Sequence, residues 1–380
     1  MNGGSRSGMP RRRMTLKLGS RPVPGAPRCR KPILAAVILT PALLGSDLLG
    51  QEQSKIAVEV KTVSVLATVR DRHDKIVPDL IKDDFLLDED GRAQTINYFA
   101  REKDAPLRLS LLVDTSLSQR RVLEQERSAS YAFLDNLLRP DKDVAAVINF
   151  DRDVTLLLDF TSSRPKLRAA LRQLETPQMD TQGGRGTHQR GGGGSAGGPR
   201  RGGGTLLYDA VYLASDELMN QQQGRKALII LSDGVDHGSR ETLAKAIETA
   251  QRADTVVYSI LFSDEEAYSH YGSHGMGPYG GHGGRYPPPQ RERPDGKKIL
   301  EQISKQTGGR LFEVSKKEPV DKIYGDIEEE LRSQYSLGYT PGKDLQPGYH
   351  KIHLSTHNKD LKVQARDGYY SGPETSRSTD

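Results

Sequence analysis

The apolar run Leu107 to Val113, within the stretch LRLSLLVDTSLS, stops at an aspartate followed by small hydroxylated residues. A strand with apolar residues pointing both ways must be covered on both faces, which is the condition of a parallel strand in an α/β sheet. In such sheets ligands sit outside the carboxyl ends of the strands. Asp114, Thr115, Ser116 and Ser118 emerge at that end. Asp114, Ser116 and Ser118, at positions n, n+2 and n+4, bring three oxygen side chains toward one point. The same Asp-x-Ser-x-Ser string also suits a helix N-cap with a polar turn.

The chain that follows alternates helix and strand, the sequence form of a parallel sheet with helices on both faces. Val122 to Leu138 predicts a helix, with Tyr131, Leu134, Leu137 and Leu138 at helical spacing and Pro140 beyond its end. Val144–Phe150 and Val154–Phe160 are predicted strands joined by Asp151-Arg152-Asp153, a connection short enough to make one of them antiparallel at the sheet edge. A helix over Ser163–Leu174 has a serine cap and an early proline. Lys226–Leu231, Arg240–Ala253, Val256–Phe262, Lys297–Thr307 and Arg310–Val314 continue the alternation.

Two further segments join the first motif. Gly203-Gly204-Thr205 opens a predicted helix over Leu206–Asn220, and Leu228–Leu231 leads into Ser232-Asp233-Gly234. With the Asp-x-Ser-x-Ser string, these three segments in this order resemble the metal-ion-dependent adhesion site of von Willebrand factor type A domains. The resemblance implies a Rossmann-like doubly wound α/β sheet. It also implies a cation held by Asp114, Ser116, Ser118, Thr205 and Asp233, with the hydroxyls binding directly and the two aspartates largely through waters. Two carboxylates and three hydroxyls are oxygen donors without imidazole or thiolate, which suits Mg²⁺, or Mn²⁺ or Ca²⁺, and disfavours zinc. An ion with neutral direct ligands stays electron-poor. The implied partner is therefore a protein presenting an aspartate or glutamate carboxylate.

The formal net charge of +5 looks basic, but residues 1–50 hold nine lysines and arginines against Asp47 alone. Removing that surplus of eight leaves −3 for the rest, so the charge points to no nucleic-acid partner. Ile33 to Leu44 is apolar, too short to span a bilayer comfortably and suited to the core of a secretory signal. Export to the periplasm, cell envelope or medium is the expectation, with cleavage between Leu44 and Gln51. An uncleaved head is the alternative and would be the chain's one membrane attachment. The single cysteine, Cys29, precedes the apolar run, so a cleaved chain has none, as fits an envelope protein without disulfides.

The expected organisation is a basic leader over 1–50, a β-rich segment over 51–104, the α/β domain over 105–318, a closing helix and strands over 319–371, and an unstructured tail over 372–380. In the first β-rich segment Val63, Val65, Ala67 and Val69 alternate, and Phe85–Leu87 and Thr95–Phe99 predict a hairpin. After the predicted closing helix Val320–Leu331, period-two patterning returns at Tyr335–Tyr339, Tyr349–Leu354 and Leu361–Ala365. The flanking strands predict one sandwich-like module, or two small ones, around the α/β domain. This overall pattern resembles an exported bacterial family of von Willebrand factor A-related proteins first noted in acidobacteria. Two insertions interrupt the domain: 183–204, about half glycine, and 264–296, rich in Gly, Pro, His and Tyr. Each is expected as a loop, because such composition buries too little apolar surface to offset its ordering entropy. His270, His274 and His282 in the second are irregularly spaced for a metal site.

Catalysis is not expected. Phosphatases of the haloacid-dehalogenase type carry a second aspartate two residues after the first, where this chain has Ser116, and no histidine base lies in the motif segments. A structural module of the cell envelope, with a metal that only staples loops together, is the second reading. A metal-dependent hydrolase is a remote third.

Overall fold

The computed structural model describes residues 12–14, 62–101, 104–175, 204–262, 295–342 and 346–372. The apolar head at 33–44, the start of the β-rich segment over 51–61 and nearly all of both insertions, 183–203 and 264–294, lie outside those residues. Among the described residues no helix is long and apolar enough to cross a membrane.

In chain order the strands are β1 (Arg12–Met14), β2 (Val63–Arg70), β3 (Phe85–Glu89), β4 (Arg92–Ala93), β5 (Ile96–Arg101), β6 (Leu107–Asp114), β7 (Val144–Phe150), β8 (Val154–Thr161), β9 (Arg225–Ser232), β10 (Thr255–Leu261), β11 (Leu311–Glu313), β12 (Tyr335–Tyr339), β13 (Gly348–Thr356), β14 (Lys362–Ala365) and β15 (Gly368–Ser371). The α-helices are α1 (Leu123–Leu137), α2 (Arg164–Leu171), α3 (Leu207–Leu213), α4 (Leu243–Arg252), α5 (Gly296–Thr307) and α6 (Val320–Arg332).

The central sheet has the order β1-β8-β7-β6-β9-β10-β11. From β7 to β11 its pairs are parallel; β8 runs antiparallel to β7, as the short Asp151–Asp153 junction requires. β8 is not the outermost strand, because Arg12–Met14 pairs antiparallel along its far side and buries Met14. The two-sided burial expected of β6 is realised. Leu107, Leu109, Leu111 and Val113 enter the core beneath α1, α2 and α6, while Leu112 enters the opposite core beneath α3, α4 and α5. Each such side chain contributes roughly 1.5–3 kcal/mol of burial, so this strand is the axis of the domain.

The helices follow their apolar stripes and end signals. Leu123, Ala129, Phe133, Leu134 and Leu137 form the inward face of α1. Thr242 and Asp295 cap α4 and α5 by accepting from the N–H of Lys245 and Lys298. Gly308 ends α5 with φ +91, and a Cβ there would lie 2.7 Å from the Arg366 nitrogen, so glycine is required both by the left-handed turn and by the close approach. Ser163 starts α2 without a side-chain cap bond, its own N–H donating to Thr161 Oγ1 at 3.2 Å. The helix expected over 206–220 is α for its first two turns only, then widens to a π turn over Ala214–Leu218 and tightens over Met219–Gln221.

The flanking strands form two four-stranded sheets, β14-β2-β12-β5 and β15-β13-β3-β4, closed on one core of Val65, Phe85, Leu87, Tyr335, Leu337 and Ile352 among others. Phe85–Glu89 does not pair with 95–99. It turns at Asp90 and Gly91, both with positive φ, onto Arg92–Ala93, and Ile96–Arg101 crosses to the other sheet. The α/β domain is inserted between β5 and β12, which are neighbours with Arg101 opposite Tyr335. The sandwich covers the end of the central sheet where the parallel strands begin: Arg366 reaches Asp254 at 2.7 Å and the Ser64 carbonyl. Glu330 of α6 joins the two units, meeting Arg70 of β2, Arg310 at 3.3 Å and Gln364 at 3.2 Å.

Candidate metal centre

The strand order reverses at β6, which leads to β7 on one side and lies against β9 on the other. That reversal opens a crevice at the carboxyl ends of β6 and β9, the place where doubly wound sheets bind ligands. Asp114 ends β6 there and is fully buried. Its Oδ1 accepts the Ser116 N–H at 2.9 Å, and its Oδ2 accepts the Ser232 hydroxyl at 2.6 Å. Ser232 Oγ in turn accepts the Gly234 N–H at 3.0 Å, so one hydroxyl ties the ends of the two strands together.

Ser116 and Ser118 lie on the turn that follows, their hydroxyls 2.9 Å apart. The helix-cap reading of this string fails, because neither serine bonds the start of α1 with its side chain. Asp233 follows β9 and is nearly buried, its Oδ1 accepting the Val235 N–H at 3.0 Å. The turn after it is possible only for glycine. Gly234 has φ +78, and a Cβ on it would meet the Gly296 carbonyl at 2.2 Å. Thr205 is joined to the same loop by two backbone bonds with His237, at 3.3 and 2.8 Å, while the next N–H, of Leu206, donates to the Asp151 carbonyl at 2.9 Å. Asp236 caps this region, accepting the Tyr208 N–H at 3.2 Å and the Ser239 hydroxyl at 2.5 Å.

The electrostatics are those of an acidic site. Burial, followed by the nearby charge of Asp233, pushes the Asp114 carboxyl up to about 7, against the smaller opposing effect of its hydrogen bonds from Ser232 and Ser116. Among the described residues the bonds to Asp114 come from hydroxyl and N–H donors, and no arginine or lysine neutralises it. Two buried carboxylates beside the paired hydroxyls of Ser116 and Ser118 are oxygen donors of the kind a hard divalent cation takes.

Residues 109–235 match the family model of the von Willebrand factor type A domain, a span that contains all five site positions. The chain carries a type A domain. Among curated proteins none matches. Solved structures similar to it include an aerotolerance-related membrane protein from Bacteroides fragilis, at 16% identity over 59% of this chain and 98% of that one, with a TM-score of 0.40. The conserved hypothetical protein BatB from Bacteroides thetaiotaomicron is 18% identical over 59% and 97%, TM-score 0.39. Proximal thread matrix protein 1 from the mussel byssus is 14% identical over 64% of this chain and 51% of its own, TM-score 0.43, so this chain spans about half of it.

The type A domain brings the expected residues to one pole. Asp114, Ser116 and Ser118 share one turn, Asp233 acts electrostatically on Asp114, and Thr205 is fastened to the loop that follows Asp233. Two residues at this pole escaped the sequence reading. Ser232 was visible beside Asp233 but had no assigned role. Glu126 is buried on the inward face of α1, and that burial, not its place in the sequence, sets it apart.

Proposed function

We propose that this chain binds one divalent cation at Asp114, Ser116, Ser118, Thr205 and Asp233, and through that cation a carboxylate of a protein partner. The observation that supports this reading is the Asp114 carboxyl, fully buried beside Asp233 and, among the described residues, held by N–H and hydroxyl donors alone. A bound cation supplies positive charge and an acceptor site for an outside carboxylate. The residues do the rest. Ser232 and the Ser116 N–H orient both oxygens of Asp114, the paired hydroxyls of Ser116 and Ser118 present neutral donors, and the Thr205–His237 bonds carry the threonine to the same pole. Oxygen donors favour Mg²⁺, Mn²⁺ or Ca²⁺.

Binding is the whole of the proposed activity. Among the described residues neither Ser116 nor Ser118 hydrogen-bonds a histidine, and a hydroxyl without a base is a poor nucleophile. The basic, apolar head supports export, and we place the working protein in the cell envelope or outside it. A fusion of residues 1–55 to a reporter that works only after export should be active; an inactive fusion beside an active standard signal counts against that placement.

Calorimetry tests the metal. Mg²⁺ or Mn²⁺ should bind the full chain and not the Asp114→Ala variant. Equal uptake by both ends the proposal.

A further inference from the structure

Within 12 residues of Asp114, in the first turn of α1, Glu126 is completely buried, with a relative exposure of 0%. Its backbone N–H donates to the Val122 carbonyl at 2.9 Å, as the helix requires. Among the described residues neither carboxyl oxygen has a hydrogen-bond partner. Leu123, Ala129 and Phe133 on the same helix face offer nothing polar, and the hydroxyls of Ser130, on that face, and Tyr324 bond each other at 2.8 Å.

A carboxyl group taken out of water without a partner costs several kcal/mol in either protonation state, roughly 1–3 for each unmade hydrogen bond. Buried polar groups left bare in a native fold point to a missing water or ion. Burial, followed by the charges of Asp114 and Asp233, pushes the Glu126 carboxyl well above the usual carboxylate range, and among the described residues no arginine or lysine opposes them. Glu126 therefore faces the same pole as the five site residues, from the helix side. Among the described residues Glu126, Asp114 and Asp233 do not come close enough together to hold an ion as three direct ligands. A bare acceptor behind two carboxylates, at more than direct-ligand range, is placed to receive the hydrogen of a water bound to the cation.

We infer that Glu126 is a third carboxylate of the metal centre, holding a water of the cation's hydration shell through its unpartnered Oε1 and Oε2. The inference rests on the cation site proposed above and adds a residue to it. A cation at the site favours the charged form of this carboxyl, whose oxygens then hold a polarised water against the inner face of the site. It also explains why α1 keeps a glutamate where its stripe otherwise takes leucine, alanine and phenylalanine.

The test titrates Mn²⁺ into the full chain and into Glu126→Gln and Asp114→Ala by calorimetry. Glu126→Gln preserves shape and removes the charge, so it should fold and bind Mn²⁺ about tenfold or more weaker than the unaltered chain, the range typical of outer partners of a metal ligand. Glu126→Gln binding as tightly as the unaltered chain, while Asp114→Ala does not bind, overturns this inference and leaves the cation site standing. No Mn²⁺ uptake by the unaltered chain overturns both. A second measurement needs no variant: crystals of the unaltered chain soaked in Mn²⁺ should show a water bridging the ion and a Glu126 oxygen at hydrogen-bond distance, and a Glu126 carboxyl without that water overturns the inference even if the glutamine variant fails to fold.

Discussion

Ser232 donates its hydroxyl to Asp114 across the gap between β6 and β9, at 2.6 Å. The two residues are far apart in sequence and end neighbouring parallel strands, so this bond fixes the width of the crevice in which the site lies. Since Ser232 Oγ also accepts the Gly234 N–H, it sets the start of the loop carrying Asp233.

Ser232→Ala removes a bond to a charged group and strands the Gly234 N–H. Such bonds contribute about 1.5–3 kcal/mol. The variant should unfold earlier than the unaltered chain in EDTA and bind Mg²⁺ more weakly; denaturation curves with and without Mg²⁺ check both. Unchanged curves would mean that the strand ends hold their spacing without this hydroxyl.

The raised Asp114 carboxyl makes the metal-free protein sensitive to pH. Its folded value, about 7, lies above its ordinary value of 3.8, so folding favours the protonated form. The associated stability is fully present below the ordinary value and is lost as pH rises through about 7. In EDTA the chain should be more stable at pH 5 than at pH 8, and Mg²⁺ should raise the melting temperature more at pH 8 than at pH 5. Asp114→Asn should flatten the EDTA profile over this window. Thermal melts across the range decide it.

Thr205→Ala should separate metal binding from partner binding. Its backbone bonds to His237 survive the substitution, and a water replaces one neutral hydroxyl at little cost, so metal affinity should fall by less than about tenfold. Capture of an immobilised acidic peptide should fall further, because the arrangement that admits an outside carboxylate loses a contact made mainly in that state. Loss of metal as complete as in Asp114→Ala, or undiminished capture, would make the site a static staple.

Glu330→Ala should weaken the joint between the α/β domain and the sandwich. It removes the buried carboxylate that Arg70, Arg310 and Gln364 share, leaving the two arginines only the exposed Asp74, at 3.4 and 3.1 Å. Removing one partner of a buried ion pair costs about 3–5 kcal/mol. Denaturation should show either a markedly earlier single transition or two separate ones, and an unchanged midpoint would contradict this role for Glu330.

The α/β alternation was legible because each element carries its own period: the two-sided run at Leu107–Val113 demands a covered strand, and the three-residue Asp151–Asp153 link demands an antiparallel return. The pairing of β3 with Arg92–Ala93 was not, since two exposed residues carry no alternation to read, and the stronger signal at Ile96–Phe99 belonged to another sheet. At the site, Asp114, Ser116 and Ser118 are close in sequence and their convergence follows from strand geometry. Ser232's bond to Asp114 depends on which strands are neighbours, which no local pattern states. Glu126 was hidden for the opposite reason. A glutamate in the first turn of a helix is ordinary at a surface, and only burial makes it informative.

The insertion of the type A domain between β5 and β12 also sets where a force on that domain would enter the sandwich. Both connections leave the sandwich side by side, at Arg101 and Tyr335, and the metal pole lies at the opposite end of β6. A pull applied through a captured partner would draw β5 and β12 the same way, putting little force between them. It would instead slide β12 along β2, where the pairing from Tyr335–Ala67 to Tyr339–Val63 resists all at once rather than one bond after another. The sandwich thus anchors the domain in shear, the stronger of the two ways a sheet can be stressed.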